Sequence, residues 1–161
     1  MQDQFEKIQS VISQAYKSLS SPNFSFVMES IQRDPYADIV KQLRQIFRVV
    51  EKTEPSYDVS FVYEVKKSNR FWSVKISMVG PYAIVLRLYN PGDRPTLITL
   101  TSSNLSAVEQ SIFLLLAQHN IQILDRDTLL LPMPLPLFAT EPKNVRVYQA
   151  LFSDEDVIPW E

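Results

Sequence analysis

The sequence predicts an α+β fold in which helices cover an antiparallel meander sheet of about four strands. Apolar side chains alternate along most of residues 57–100, between turn residues, as they do in strands that bury one face. Two segments before this stretch carry apolar residues at three- and four-residue spacing, which indicates two N-terminal helices. A third such segment follows it, and two short apolar runs then predict a C-terminal strand pair.

The N-terminal third contains the two predicted helices. The first should end near Ser20–Pro22, and its apolar positions are Phe5, Ile8, Ile12, Ala15 and Leu19. Residues 23–33 fit a strand or a helix equally well. Asp34 as N-cap and Pro35 at the first helical position predict the start of the second helix, whose apolar stripe runs to Val50.

Four strands are predicted next, at residues 57–65, 71–79, 82–89 and 96–100, with explicit turn residues at 90–95. Alternation assigns one set of apolar side chains to the covered face, namely Tyr57, Val59, Phe61, Tyr63, Val65, Trp72, Val74, Ile76, Met78, Tyr82, Ile84, Leu86 and Leu88. Lys75, Arg87 and Tyr89 are then expected on the exposed outer face.

The cover for the sheet is predicted at residues 104–119. Ser106 and Glu109 have the S-x-x-E spacing of a capping box, although Ser103 or Asn104 fits the cap as well. Beyond this helix, residues 121–124 and 128–132 flank a DRD turn and predict the short strand pair. The 161 residues are expected to form a single domain, with 132–161 as a Pro-rich and acidic C-terminal extension.

The composition excludes many chemistries. The chain has no Cys, one His and two Gly, so thiolate sites, His-based triads, multi-His metal sites and glycine-rich phosphate loops are not expected. Two groups of carboxylates remain, Asp125 with Asp127 and Asp154 to Asp156, and turn chemistry and solvation explain both more simply than acid/base catalysis. We therefore expect a protein that is not an enzyme, with no catalytic residue, cofactor or metal.

Charge is distributed unevenly along the chain. Residues 1–56 carry 7 basic and 7 acidic side chains, 57–100 carry 6 and 3, and 101–161 carry 3 and 8, which gives net charges of 0, +3 and −5. A nucleic-acid partner is not expected from this balance. The N-terminus mixes acids and bases before any apolar run, so neither a signal peptide nor a membrane partner is expected, and the cytoplasm is the expected location.

The order of elements resembles the small acidic type III secretion chaperones and the related bacterial sensory-transduction regulators. The resemblance is carried by the meander at 57–89, the helix at 104–119 and the runs IQIL and TLLLP. It implies a non-catalytic homodimer that binds a partner polypeptide on an apolar surface.

The last residues resemble a different family. Acids followed by Ile, Pro and an aromatic residue are similar to the acidic tip of bacterial single-stranded-DNA-binding proteins, and the matching residues are Asp154, Glu155, Asp156, Ile158, Pro159 and Trp160. This resemblance implies single-stranded nucleic acid binding with a protein-recruiting tail, as an alternative function. A further alternative is an inhibitor of the immunity or antitoxin kind, whose acidic C-terminal segment covers a basic toxin surface.

The sequence thus favours a protein-binding module of the chaperone-like or regulatory-adaptor kind that acts through an apolar surface. Its candidate partner-binding residues are Arg87, Tyr89, Phe152, Ile158 and Trp160. For the tail residues among them, the alternative is that the tail folds back and completes the core of the protein.

Overall fold

The computed structural model describes residues 2–89 and 93–161, and it confirms the α+β class. Within these residues the helices are α1 Gln2–Tyr16, α2 Ser25–Arg33, α3 Ala37–Arg44, α4 Ala107–Gln118, α5 Arg126–Leu129 and α6 Val147–Leu151, with a 3-10 turn at Pro142–Asn144. The strands are β1 Arg48–Glu51, β2 Ser60–Lys67, β3 Arg70–Ser77, β4 Tyr82–Leu88, β5 Thr96–Ile98 and β6 Gln122–Ile123.

The sheet is a meander of five antiparallel strands in the order β1-β2-β3-β4-β5, and β6 joins it by parallel pairing with the start of β4. The four predicted strands are all present, β1 is additional, and β6 lies within the short strand predicted at residues 121–124. Part of the turn predicted at 90–95 falls on residues 90–92, which lie outside the described residues.

The N-terminal third has three helices, not two. Residues 25–33 form a helix, and Asp34 ends it in the left-handed region, at φ 47°, instead of capping the next one. The helix predicted to reach Val50 stops at Arg44, and residues 48–51 pair with β2. Two adjacent β-branched valines favour this strand, because Val49 then faces the core from the edge of the sheet.

The capping box is confirmed. Ser106 Oγ accepts from the Glu109 N–H at 3.1 Å, and Glu109 Oε1 accepts from the Ser106 N–H at 2.9 Å. The predicted C-terminal strand pair is wrong. Asp125 caps α5 by accepting from the Thr128 N–H at 2.8 Å, so the second run becomes helical, and the first run pairs with β4 instead.

Both faces of the sheet are buried. Helices α3 and α4 cover one face, and the core there includes Trp72, Val74 and Ile76. Helices α1, α2 and α6 lie on the other side, where the core includes Tyr82 and Ile84. Ser60, Ser73 and Ser77, which were expected on a solvent-exposed face, are therefore buried as well.

The side chains of β4 face the opposite sides of the sheet from those predicted. Trp72 pairs with Arg87 and Val74 with Val85, so Arg87 shares the face of Trp72, while Ile84 faces away from it. The expectation that Arg87 lies exposed on the outer face is wrong. Alternation does not determine the register of this strand, because its first five residues are all apolar and all buried.

The C-terminal segment is packed along the start of β2 and the end of β3. The Ser60 and Ser77 hydroxyls donate to the carbonyls of Phe152 and Leu151, at 2.8 and 2.6 Å. The Val59 N–H donates to the Phe152 carbonyl at 3.1 Å. Residues 132–161, expected as an extension, thus contribute a large share of one core, including Val147, Tyr148, Leu151 and Phe152.

Gly80 lies directly against Val11 of α1. A Cβ at this position would lie 2.6 Å from Val11 Cγ1 and 3.0 Å from Tyr82 Cε2. We expect Gly80→Ala to lower the free energy of unfolding by about 1–3 kcal/mol, because the branched Val11 side chain cannot move away without shifting the helix. Urea unfolding measures this loss, and Gly80→Ala in a Val11→Ala background should recover part of it. An unchanged midpoint for Gly80→Ala alone would contradict the packing.

Candidate functional site: an aromatic groove with an acidic rim

A cavity of about 160 Å³ lies between α2, the segment before β2 and the loop after the Pro-rich run, and we call it the aromatic groove. It is lined by Phe24, Val27, Met28, Pro55, Ser56, Tyr57, Asp58, Val59, Phe138 and Asp154. Its walls come from three distant parts of the chain, so the groove exists only in the folded protein.

Three large apolar side chains surround this groove and remain open to solvent. Phe138 is 87% exposed, Met28 54% and Tyr57 37%. Most other large apolar side chains of the described residues are buried in the two cores. Single exposed apolar side chains are ordinary on protein surfaces, whereas several around one concavity are typical of a binding site.

The position of Phe138 is fixed from beneath and from one side. Its ring packs against Phe24 with ring centroids 5.1 Å apart, and Phe24 in turn contacts Tyr16 edge-on at 5.4 Å. Tyr16 is fully buried and donates from its hydroxyl to the Ala150 carbonyl at 2.7 Å. The exposed ring of Phe138 is therefore held in position by packed aromatic side chains.

The loop that carries Phe138 is held by one buried carboxylate, that of Asp154. It accepts hydrogen bonds from the backbone N–H groups of Phe138, Ala139 and Thr140 at 2.8, 3.1 and 3.0 Å. The Thr140 hydroxyl donates to it as well, at 2.8 Å. An acid expected to be solvated in the tail is thus the anchor of the groove wall, and hydrogen bonds to a charged acceptor are the strong kind.

Carboxylates surround Tyr57 at the mouth of the groove. Burial raises the pKa of the Tyr57 hydroxyl, and the charges of Glu155, Asp58 and Glu54 raise it further, against the opposing charge of Lys75. None of the three carboxylates forms an ion pair within the described residues. We call them the acidic rim, and their net negative charge favours a cation beside the ring of Tyr57.

Asp58 and Lys75 connect the rim to the core. Burial raises the pKa of the Asp58 carboxyl, although its hydrogen bond from the Glu54 N–H, at 2.8 Å, and the charge of Lys75 oppose that shift. Lys75 donates to the Tyr148 hydroxyl at 3.0 Å, so this lysine lies partly covered by α6 instead of on an open face. Its single positive charge offsets only part of the charge of Glu155, Asp58 and Glu54, so the rim stays net acidic.

A second charged cluster lies at the far end of β4. Glu109 is fully buried and accepts from Arg87 Nε and Nη2 at 2.6 and 2.7 Å, and from the Trp72 indole N–H at 2.9 Å. Burial alone would raise the pKa of Glu109, but the hydrogen bonds from Arg87, Trp72 and the Ser106 N–H outweigh it and bring the pKa down to about 2. Arg70 lies over the Trp72 ring at 5.0 Å. This cluster fastens α4 to the sheet.

The structure separates the residues predicted to bind a partner. Arg87 and Tyr89 line a cavity of about 230 Å³, and Trp160 lines a separate one of about 580 Å³. Phe152 is fully buried, so for Phe152 the core alternative holds. Ile158 and Trp160 are partly buried, and Trp160 contacts Tyr148 edge-on at 5.1 Å, so the tail is packed on the protein and does not form a free tip. Tyr89 is exposed, as expected.

Sequence reasoning missed the groove residues Phe24, Met28 and Phe138, and it placed Tyr57 in the covered face. The signal that could have pointed there was Phe138 itself, an aromatic residue directly after a run of prolines that cannot continue a sheet. Nothing local indicates that this ring stays exposed, because the carboxylate that positions it lies 16 residues further along the chain.

Comparison with family models, with curated proteins and with solved structures finds no match to this chain. Among the described residues, no group of three or more His, Cys, Asp or Glu side chains is placed to hold a metal ion. No described helix is long and apolar enough to span a membrane.

Proposed function

We propose that this chain is a non-catalytic protein-binding module whose aromatic groove receives a segment of another protein. The segment carries a large apolar side chain, which enters the groove, next to a Lys or Arg, which meets the acidic rim. The single observation that carries the proposal is the convergence of Met28, Tyr57 and Phe138 on one cavity bordered by unpaired carboxylates.

Apolar contact and charge contribute differently to such binding. Burying apolar side chains on both partners supplies the affinity, at about 25 cal/mol per Å² of apolar surface. The rim contributes mainly orientation and association rate, since exposed ion pairs are worth only about 0–1 kcal/mol each. The Asp154 anchor adds preorganisation, because the wall that carries Phe138 is ordered before the partner arrives.

A display library of random peptides tests the proposal and does not require the partner to be identified. We expect selection on the wild-type protein to enrich peptides that combine a large apolar residue with a nearby Lys or Arg. Phe138→Ala should weaken their binding by about tenfold or more, because it removes an apolar wall worth about 1.5–3 kcal/mol when buried.

Leu114→Ala is the matched control for that loss. Leu114 is 60% exposed on α4 and does not line the groove, so its removal should leave peptide affinity unchanged. Enriched peptides that bind Phe138→Ala as well as wild type would contradict the proposal.

The acidic rim also supports a second candidate, an inhibitor that covers a basic surface of a toxin. The two candidates differ in which interaction dominates. Apolar insertion predicts that affinity changes little with ionic strength, whereas charge-steered inhibition predicts a steep loss as salt rises. The homodimer, the cytoplasmic location and the absence of nucleic acid among the partners stay predictions.

A further inference from the structure

A cavity of about 580 Å³ lies apart from the aromatic groove, between β5 and α5. We call it the β5 cavity. Its volume falls within the range of about 300–1,000 Å³ that is typical of small-molecule sites. It is lined by Arg94, Pro95, Thr96, Leu97, Thr99, Thr101, Ser102, Asp125, Arg126, Asp127 and Trp160.

The polar lining is balanced in charge and rich in hydroxyl groups. Two arginines face two aspartates, and four Thr or Ser side chains stand among them. Because the lining carries two positive and two negative side chains, a charged ligand of either sign would be both attracted and repelled. Its net charge would therefore add little to the free energy of binding. A neutral ligand with many hydroxyl groups can use those donors and acceptors that the protein does not already engage.

Some of this hydrogen-bonding capacity is already engaged within the protein, and some is free. Asp125 caps α5, and Arg126 Nε donates to Glu161 Oε1 at 2.7 Å. The Thr99 hydroxyl lies 3.3 and 3.4 Å from the hydroxyls of Thr101 and Ser102, so these three groups each keep only part of their capacity for a ligand. The side chains of Asp127 and Arg94 make no hydrogen bond or ion pair within residues 2–89 and 93–161. One free carboxylate and one free guanidinium therefore remain for a ligand.

Trp160 supplies the aromatic part of the wall. Its ring is fixed edge-on against Tyr148, with centroids 5.1 Å apart, and the Arg126–Glu161 ion pair holds the chain end beside it. The indole N–H is buried and has no acceptor within the described residues. A buried donor without a partner costs free energy, so this edge of the indole ring is a strained part of the cavity wall.

We propose that the β5 cavity is a binding site for a neutral saccharide. The indole ring packs against the apolar C–H face of the sugar, while Asp127, Arg94 and the threonine hydroxyls exchange hydrogen bonds with its hydroxyl groups. This pairing of one flat apolar wall with several small polar groups matches a ligand that is itself apolar on its faces and polar at its edges.

Nuclear magnetic resonance titration with maltose, cellobiose and lactose tests the site. The chain has two tryptophans, so its spectrum holds two indole N–H signals, and Trp160→Phe assigns them. We expect at least one of the three sugars to move the Trp160 signal with a dissociation constant on the order of 1 mM. The Trp72 signal should stay in place, because that N–H donates to Glu109 in the core.

Asp127→Ala should weaken this sugar binding by about tenfold, whereas Asp38→Ala, which removes an exposed acid on α3, should not change it. No shift of the Trp160 signal by any of the three sugars at about 50 mM would overturn the proposal. Inorganic phosphate that moves the same signal at lower concentration than the sugars would also overturn it, in favour of an anion site. Peptide binding at the aromatic groove is measured separately and does not depend on either outcome.

Discussion

Glu109→Gln should lower the free energy of unfolding by about 3 kcal/mol at pH 7, which corresponds to about 10 °C in the melting temperature. The side chain is fully buried, and its pKa is depressed from 4.5 to about 2. The neutral amide keeps the shape of the side chain but leaves the Arg87 guanidinium, which is mostly buried, without its counter-charge. Breaking one half of such a pair costs more than the pair itself contributes.

The pH dependence has a definite sign. Because the folded pKa lies below the unfolded one, the contribution of Glu109 is fully present above about pH 4.5 and is lost as the pH falls towards 2. The difference between wild type and Glu109→Gln should therefore shrink between pH 4.5 and 2. Glu6→Gln, at an exposed position on α1, is the matched control and should show no such trend. A difference that stays constant down to pH 2.5 would contradict the assignment of the low pKa to Glu109.

Asp154→Ala should be similarly costly, at about 3 kcal/mol, because three backbone N–H groups and one hydroxyl lose a shared charged acceptor. Asp156→Ala is the control from the same acidic run. Asp156 is exposed and accepts from the Asn144 side chain and the Glu141 N–H, so its loss should cost about 1 kcal/mol or less. Chemical denaturation measures both values.

A second readout of Asp154→Ala concerns the aromatic groove. Since Asp154 holds the loop that presents Phe138, we expect the variant to lose peptide affinity even under conditions where it is fully folded. Equal losses of stability for the two aspartates would show that the acids of this tail act only as general surface charges. Asp154 would then not be the residue that holds the loop of Phe138 in place.

Elements with a local chemical signal could be predicted from the sequence. The Ser106 and Glu109 capping box needs only residues three apart, and the strands at β2 and β3 alternate because one face is strongly apolar. Asp34 shows the limit of such signals. Its carboxylate suits an N-cap, but the residue ends α2 in a left-handed conformation, because the chain must turn between two short helices.

Strand β4 and the C-terminal segment could not be predicted in the same way. Apolar residues occupy both faces of β4, so period-two reasoning placed Arg87 on the wrong side. Ser60 and Ser77 suggest a face exposed to solvent. Their hydroxyls instead donate hydrogen bonds to the carbonyls of residues at the end of α6. That arrangement depends on contacts between residues more than 70 positions apart, which no local pattern contains.

The aromatic groove could be predicted from the sequence only in part. Its apolar residues are visible in the sequence, but their convergence depends on α2, the segment before β2 and the loop at Phe138 meeting in space. The acidic tail predicted as a contact contributes indirectly, through Asp154 at the base and Glu155 at the rim. Trp160 and Ile158, proposed as contacts, lie instead on the core around Tyr148.

Chemical-shift mapping of one selected peptide on the isotopically labelled protein tests the central claim most directly. We predict that the largest shifts fall on Met28, Tyr57 and Phe138 and that a Lys-to-Gln change in the peptide weakens binding by about two- to fivefold through the acidic rim. Shifts that cluster away from the groove, with Met28 and Phe138 unmoved at saturation, would contradict it.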